Sequence, residues 1–347
     1  MSYLAKKLLY GLLVLVGVVI MVFFLFQGFG DPARLVLGQA GDSATIQNIR
    51  KELALDQPKW KQFVLYLNDV SPVAVHSTAD IEKKQLKGFF VGGEHKLGIK
   101  LPYLRRSYQT KKDVGEVLLE ALPGTMVLAL AAMCIATVIG ILLGILAAVK
   151  QNTWMDTSAV FTSVLGISAP SFFMGIVLAY LFGFVFSQYT GLHMTGSLYN
   201  IDPFTGKDLQ LKNLVLPAIT LGIRPLAIIT QLTRSSMLDV LDQDYIRTAY
   251  AKGLPKKLVI FHHALRNALN PVITAITGWF AELLAGAFFV EYIFGWKGIG
   301  KVTVDALEKL DFPVVMGSVL LTATFFILVN ILADLLYGMV DPRVRVK

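Results

Sequence analysis

His262-His263 is the first place in this chain where chemistry suggests itself, because neighbouring imidazoles invite a metal ion. On a helix, however, adjacent side chains diverge by about 100°, so the pair does not converge on one ion, and no cysteine or carboxylate stands beside it at ligand spacing. Gly295-Trp296-Lys297-Gly298-Ile299-Gly300-Lys301-Val302 nearly matches the phosphate-cradling pattern G-x-x-x-x-G-K-[ST]. It has valine where a magnesium-binding hydroxyl belongs, and it follows an apolar run instead of a strand. Arg224 and Glu282 lie deep inside apolar runs. Each costs roughly 2.5–3.5 kcal/mol to place in a bilayer on insertion scales, so each must find a bundle interior or a wet cavity. A mutual ion pair that locks two helices is one solution; lining a pathway that meets substrate charge is the other. Serine, histidine and aspartate show no nucleophile-elbow context, so no catalytic residue and no metal ligand is assigned.

Composition limits what these residues can serve. Of 347 residues, 55% are hydrophobic and 16% charged, against about 25% charged in soluble domains. The chain reads as an integral membrane protein. The net charge of +8 would raise nucleic acid as a partner in a soluble protein. Here the lysines and arginines flank apolar spans, where they fix topology, so nucleic acid is set aside. The single cysteine, Cys134, lies inside an apolar run and says nothing of redox compartment.

A spanning helix needs roughly 20 apolar residues. Six segments qualify, at about 8–28, 121–149, 157–187, 214–236, 272–292 and 314–340. The first follows Lys6 and Lys7, is longer than a signal-peptide core and is followed by no small-residue cleavage site, so it reads as a retained anchor. Lys6, Lys7, Lys150, Arg247, Lys252, Lys256, Lys257, Arg266, Arg343, Arg345 and Lys347 all fall on one side if six helices alternate. That side is the cytoplasm by the positive-inside rule, with both termini on it.

Four regions follow: an anchor helix at 1–28, an extracytoplasmic insertion at 29–114, a core at 115–340 and a tail at 341–347. Within the insertion, Ser43 or Asp42 is placed to cap a helix carrying Ile46, Ile49 and Leu53, and Pro58 to start another carrying Trp60, Phe63, Val64 and Leu67. Residues 76–112 are more polar and basic. They suit either a solvated subdomain or a docking surface for an external protein.

Between the fourth and fifth spans lies a polar, basic island at 244–271. Asp244 to Lys252 favours a helix, Gly253 and Pro255 stop it, and Pro255 suits the first turn of a second helix. Ile246, Ala249, Tyr250 and Gly253 share one face of the first helix, and Leu258, His262, Leu265 and Leu269 one face of the second. Helix, sharp turn and helix on the cytoplasmic side make a protruding knob. An interfacial amphipathic helix resting on lipid is the alternative.

The run Arg247-Thr248-Ala249-Tyr250-Ala251-Lys252-Gly253-Leu254, followed by His263-Ala264-Leu265-Arg266-Asn267-Ala268, resembles the EAA loop of ABC-importer permeases of the dipeptide/oligopeptide branch. Arg247 and Thr248 stand in place of the general Glu-Ala, and Arg266 in place of a proline. Leu122-Pro123 with Thr125, Ala169-Pro170-Ser171-Phe172, Leu216-Pro217-Ala218, Arg234-Ser235-Ser236-Met237, Val290-Glu291 and Phe294-Gly295-Trp296 resemble the same family, as do Asp31-Pro32 and Asp341-Pro342-Arg343. The likeness covers nearly the whole chain and is weakest at about 76–110.

The resemblance implies an all-α membrane protein, a six-helix type I importer permease with a partly helical insertion. It also implies a second permease subunit, two cytoplasmic ATPase subunits that use ATP and magnesium, and an extracytoplasmic substrate-binding protein, in a bacterial or archaeal-type cytoplasmic membrane. This chain then binds no cofactor and has no ATPase site of its own. Arg247, Thr248, Ala249, Tyr250, Gly253 and Leu254 are the expected contact with an ATPase subunit. Peptide is the expected cargo, with nickel, glutathione or another small solute as the alternative. A secondary transporter or channel is the reading from a different class, and it has no use for the cytoplasmic knob.

Overall fold

The computed structural model describes residues 3–27, 55–202 and 206–340, together with the isolated helical positions 47 and 50. The helix expected around Ile46, Ile49 and Leu53, and the tail from Asp341, lie outside the described residues. In chain order the elements are helix α1 (Tyr3–Gln27), α2 (Lys59–Val70), strand β1 (Val73–Ser77), α3 (Thr78–Lys84), β2 (Gly88–Gly92), β3 (His95–Lys100), α4 (Val114–Val149), α5 (Trp154–Ser168) and α6 (Ser171–Tyr180). A π turn (Leu181–Val185) and a short helix close this hairpin of helices. Then follow β4 (Tyr199–Asp202), β5 (Gly206–Leu209), α7 (Lys212–Leu241), α8 (Asp244–Ala251), a second π segment (Val259–Ala264), α9 (Leu265–Gly286), α10 (Phe288–Ile293), α11 (Ile299–Glu308) and α12 (Phe312–Val340).

Among the described residues, α1, α4, α7 and α12 are long and apolar enough to cross a membrane. The expected third span is instead two helices, α5 and α6 with its π turn, bent by 107°. The cause is in the sequence: Pro170 has no N–H to continue α5, and Ala169 before it is extended, with ψ 132°. The expected fifth span is also divided, into α9 and α10; α9 begins earlier, at Leu265, and carries Arg266 and Glu282. It does not meet the length and composition of a continuous apolar span.

The chain forms two compact units. One, mainly Leu122–Lys301, is a helical bundle. Its core joins Leu128, Ala132 and Ala136 of α4 to Leu216, Leu221 and Ile229 of α7, Val272 and Leu283 of α9, and Phe294 and Trp296. Small residues set the spacing there. A Cβ at Gly144 would lie 2.5 Å from Thr233 Cβ, and one at Gly222 2.9 Å from the Ala132 carbonyl oxygen.

The other unit comprises Leu8–Ala121 and Val302–Thr324. The insertion is partly helical, as expected, and residues 73–100 add an antiparallel sheet in the order β1-β3-β2. Val73 pairs with Ile99 and Ile99 with Phe89; Val75 pairs with Leu97 and Leu97 with Val91. Ala74, His76, Phe90, Lys96, Gly98 and Lys100 occupy the other face. Asn68 of α2 bonds the backbone of Val75 on both sides, through its Oδ1 (3.1 Å) and its Nδ2 (2.7 Å). The Asp69 carboxylate gathers Lys84 and Arg105, while its carbonyl accepts from the buried Lys100 ammonium. Burial pushes that ammonium down to about 8 from a lysine's ordinary 10.5.

α2 packs on α1. Gln27 donates to Gln62 at 3.2 Å, Phe23 meets Phe63 and Tyr66 with ring centroids 5.1 and 5.6 Å apart, and Val18 and Val19 share a cluster with Val70. The two helices therefore run antiparallel. Before α12, Asp311 is buried and accepts from Ser107 Oγ (2.5 Å), from the Tyr108 N–H (2.9 Å) and from Gln109 N (3.4 Å). One carboxylate thus pins the 107–109 turn to the start of the last span.

Candidate functional site at the helix-turn-helix knob

α8 begins after Gln243, which is extended, and ends where Gly253 takes φ +76°. That left-handed value suits glycine, and it reverses the chain into Pro255, which precedes the next helical turn with ψ 142°. The expected helix and break are therefore present. The faces differ from expectation. Ile246 and Ala249 turn inward, 1% and 8% exposed, onto Val259, Ile260 and Ala264, with Met237 of α7 and Ile145 of α4 beneath them. Arg247, Thr248, Tyr250 and Gly253 are exposed, and Leu254 is half-buried against the same cluster. Ala249 thus belongs to the floor of the knob instead of its contact surface.

The second helix departs further. Residues 259–264 form a π segment, whose i→i+5 bonding holds one more residue per turn than the α period assumes. Val259, Ile260, Ala264 and Ala268 become the buried positions, and Leu258 and His262 turn outward. Leu258, Phe261 and His262 then line an open hollow with Pro255, Lys256 and Lys257. The knob surface is aromatic and cationic: Tyr245, Tyr250, Leu258 and Phe261 are exposed among Arg247, Lys252, Lys256 and Lys257. Asn267 donates to the Tyr245 hydroxyl at 2.8 Å and ties the two helices across the turn. The His262 and His263 rings meet edge to face, 5.3 Å between centroids.

A second fixing point lies behind the knob. Arg234 of α7 grips Asp156 of α5 through Nε (2.5 Å) and Nη2 (2.8 Å), and Asp156 also accepts from Asn152 N at 3.0 Å. Such a two-pronged pair holds orientation as well as charge. It ties α7 to α5. Sequence reading singled out Arg234 within a motif but had no signal for Asp156.

Arg224 and Glu282 do not form the expected ion pair; both side chains are exposed on this chain. Although α7 and α9 pack together, they do so through Leu221, Leu226 and Ile229 against Val272, Ile276 and Leu283. Arg224 and Glu282 lie off that seam. Asp334, by contrast, accepts from Lys7 of α1 at 2.6 Å.

The near-phosphate loop has an occupant of its own. Glu291 is fully buried and accepts from the Thr125 hydroxyl at 2.7 Å, from the Lys301 N–H at 3.1 Å and from the Gly300 amide. Thr125 Oγ1 in turn accepts from Ile299 N at 2.9 Å, and Trp296 Nε1 donates to the Gly124 carbonyl at 2.9 Å. A Cβ at Gly298 would stand 2.4 Å from Glu291 Oε2. The glycines therefore wrap an internal carboxylate, and the amide donors a phosphate would need are already engaged.

Comparison with known proteins agrees with this architecture. Residues 140–346 match the binding-protein-dependent transport system inner membrane component, and residues 1–129 the N-terminal region of the same kind of component. A dipeptide transport system permease protein of Alkalihalophilus pseudofirmus is 34% identical, covering 99% of both chains. One of Escherichia coli strain K12 is 38% identical over 96% of this chain and 95% of its own. A glutathione transport system permease protein of Pectobacterium atrosepticum is 35% identical over the full length of both. Among solved structures, the inward-facing MetNI methionine ABC transporter matches 65% of this chain and 97% of its own, with TM-score 0.50 and 15% identity. With the spans, the knob and the two matched regions in agreement, this chain belongs to the family of binding-protein-dependent transport system inner membrane components, and its fold is that of an ABC importer permease.

Proposed function

We propose that this chain is a membrane subunit of an ATP-driven importer of di- or oligopeptides, and that the α8 knob receives the motion of a cytoplasmic ATPase subunit. The observation that carries this is the division of faces in α8. Ile246 and Ala249 are spent on the protein's own core, packed on Met237, Ile145, Val259 and Ile260, while Arg247, Thr248, Tyr250 and Gly253 stay exposed. A knob seated in an ATPase groove transmits force only if its base cannot yield, and this base is packed. A purely lipid-resting helix gains nothing from it.

In this reading both termini and the knob are cytoplasmic, the insertion is extracytoplasmic, and a second permease subunit completes the pathway. ATP and magnesium act in the ATPase subunits, and a substrate-binding protein delivers cargo from outside. Arg224 and Glu282, exposed on one chain, face the pathway or the second permease. Cargo as peptide rests on the dipeptide permeases among the relatives. The glutathione permease at comparable identity supports a second reading, a small thiol-containing peptide. Competition of labelled dipeptide uptake by glutathione separates the two.

The coupling assignment is tested by Thr248→Cys in the assembled transporter, carrying Cys134→Ser to remove the native thiol. A short bifunctional thiol reagent is expected to join position 248 to an ATPase subunit, with a yield that changes when ATP is added. Absence of any such product in a complex that retains its ATPase subunits refutes the assignment.

A further inference from the structure

The sheet of the insertion has its pattern inverted. Its apolar side chains, Val73, Val75, Phe89, Val91, Leu97 and Ile99, point to solvent with 50–75% exposure. The polar face, with His76 and Lys100, is the covered one. Soluble proteins rarely leave a contiguous apolar patch larger than a few hundred Å² bare. Strands with apolar residues outward and polar residues inward are the pattern of a surface that meets lipid.

The antiparallel register of α1 and α2 gives this face a depth. The apolar membrane window of α1 runs from Ala5 to Leu25. α2 starts beside Gln27 and descends past Phe23 until Val70 joins Val18 and Val19. Val19 lies about 9 Å inside the Leu25 end of the window, at 1.5 Å rise per residue. The same cluster includes Leu320 of α12, which is likewise well inside the window that opens at Phe312. β1 leaves α2 only three residues after Val70, and Asp69 beside it holds Lys84 and Arg105, so the sheet is rooted near the level where α1 enters lipid, at headgroup depth. Trp60, at the top of α2 and 69% exposed, stands where interfacial tryptophans collect. Lys87, just before β2, is exposed and pairs with Glu116 of α4 at 3.5 Å.

We propose that the Val73–Val75–Phe89–Val91–Leu97–Ile99 face lies on the bilayer, in the leaflet at the Gln27 end of α1, as a monotopic attachment beside the spanning helices. The outer edge of β1 is satisfied at Val73 and Val75 by Ser71 and Asn68. The outer edge of β2 has no strand beside it, and acyl chains cannot satisfy a strand edge, so the face meets the acyl boundary while that edge stays among headgroups and water. This rests on α1 spanning the membrane and is independent of the coupling role of α8.

The test uses the complete transporter with Cys134→Ser and single cysteines at Phe89, Leu97 or Glu94, which is exposed in the turn between β2 and β3, each labelled with an environment-sensitive dye. The complex is reconstituted in phosphatidylethanolamine–phosphatidylglycerol vesicles. Labels at 89 and 97 are expected to lose most of their fluorescence to doxyl-labelled lipid and little to aqueous iodide, with the reverse at 94. A Phe89→Trp variant, read as added quenching by dibrominated lipid over the parent protein, removes any influence of the dye. Iodide quenching of 89 and 97 equal to that of 94 overturns the proposal. So does insensitivity of 89 and 97 to both quenchers, which would mean that protein covers the face.

Discussion

Replacement of Gly253 separates the shape of the knob from its surface. Its φ of +76° lies where a side chain is strained, yet no atom stands within 4 Å of an added Cβ. Gly253→Ala therefore carries only the backbone cost, about 1 kcal/mol, with no clash to enlarge it. Gly253→Asn is cheaper, because asparagine tolerates the left-handed region. Gly253→Arg has the same backbone cost as alanine and adds a long cation beside Lys252, Lys256 and Lys257 on the exposed surface. Alanine and arginine are thus matched in stability and differ in what a partner would meet. The assay is ATP-dependent dipeptide uptake into vesicles containing the assembled transporter, alongside thermal midpoints in detergent. Both variants are expected to lower the midpoint slightly and equally. Alanine retains most uptake and arginine loses it. Undiminished uptake by the arginine variant refutes the docking role. Equal loss in alanine and arginine refutes the division made here, because the turn's geometry would then matter and its surface would not.

Three other expectations follow from buried polar groups. Arg234→Ala leaves Asp156 buried without its two-pronged partner and is expected to cost about 2–3 kcal/mol, read as a lowered thermal midpoint together with weakened retention of ATPase subunits on purification; Asp156→Ala with Arg234→Ala restores part of the midpoint. Glu291→Gln keeps one oxygen for the Lys301 and Gly300 N–H donors and turns its NH2 toward the Thr125 hydroxyl, which can accept, and is expected to cost about 1 kcal/mol, whereas Glu291→Leu strands these donors and costs about 3 kcal/mol or more, measured as thermal midpoints of the purified complex; equal midpoints refute the loop-locking role. For Lys100, the folded pKa of about 8 lies below the ordinary 10.5, so the unfolded state holds the extra proton between these values and stability rises with pH from about 8. Burial raises the Tyr66 and Tyr108 hydroxyls, which reverses the slope once unfolded tyrosine titrates near pH 10. Protection of β1 and β3 from proteolysis is expected to increase between pH 8 and 10, and Lys100→Met to flatten that increase.

The parts legible in sequence were those governed by neighbours along the chain. Gly253 and Pro255 announced the turn, Pro170 stood at the break in the third span, and Pro58 at the start of α2. The inward face of the knob was misread because 3.6-residue spacing was carried through Val259–Ala264, where the helix widens. The sheet at 73–100 was missed although Val73-Ala74-Val75-His76 and Lys96-Leu97-Gly98-Ile99-Lys100 alternate with period two. The basic residues among them read as a solvated subdomain or a docking surface, and the apolar set faces outward. Partners across long separations left no local trace. Thr125 and Glu291, or Asp156 and Arg234, are brought together by helix packing alone. Arg224 and Glu282 were paired on economy of charge, which ignores the face each occupies on its own helix.

The Asp311 contacts have a consequence for the order in which the protein is made. α1 and α2 meet through residues about 40 positions apart, so they can associate while the rest of the chain is still on the ribosome. Ser107 must wait for Asp311, which is 204 residues later. At roughly 10 residues per second, that is a delay of about 20 s during which the 107–109 turn has no carboxylate to hold it. The turn can close only once synthesis has reached the start of the last span. The Asp311 carboxylate therefore marks that arrival: a chain broken off before it leaves three donors open in its first-made half.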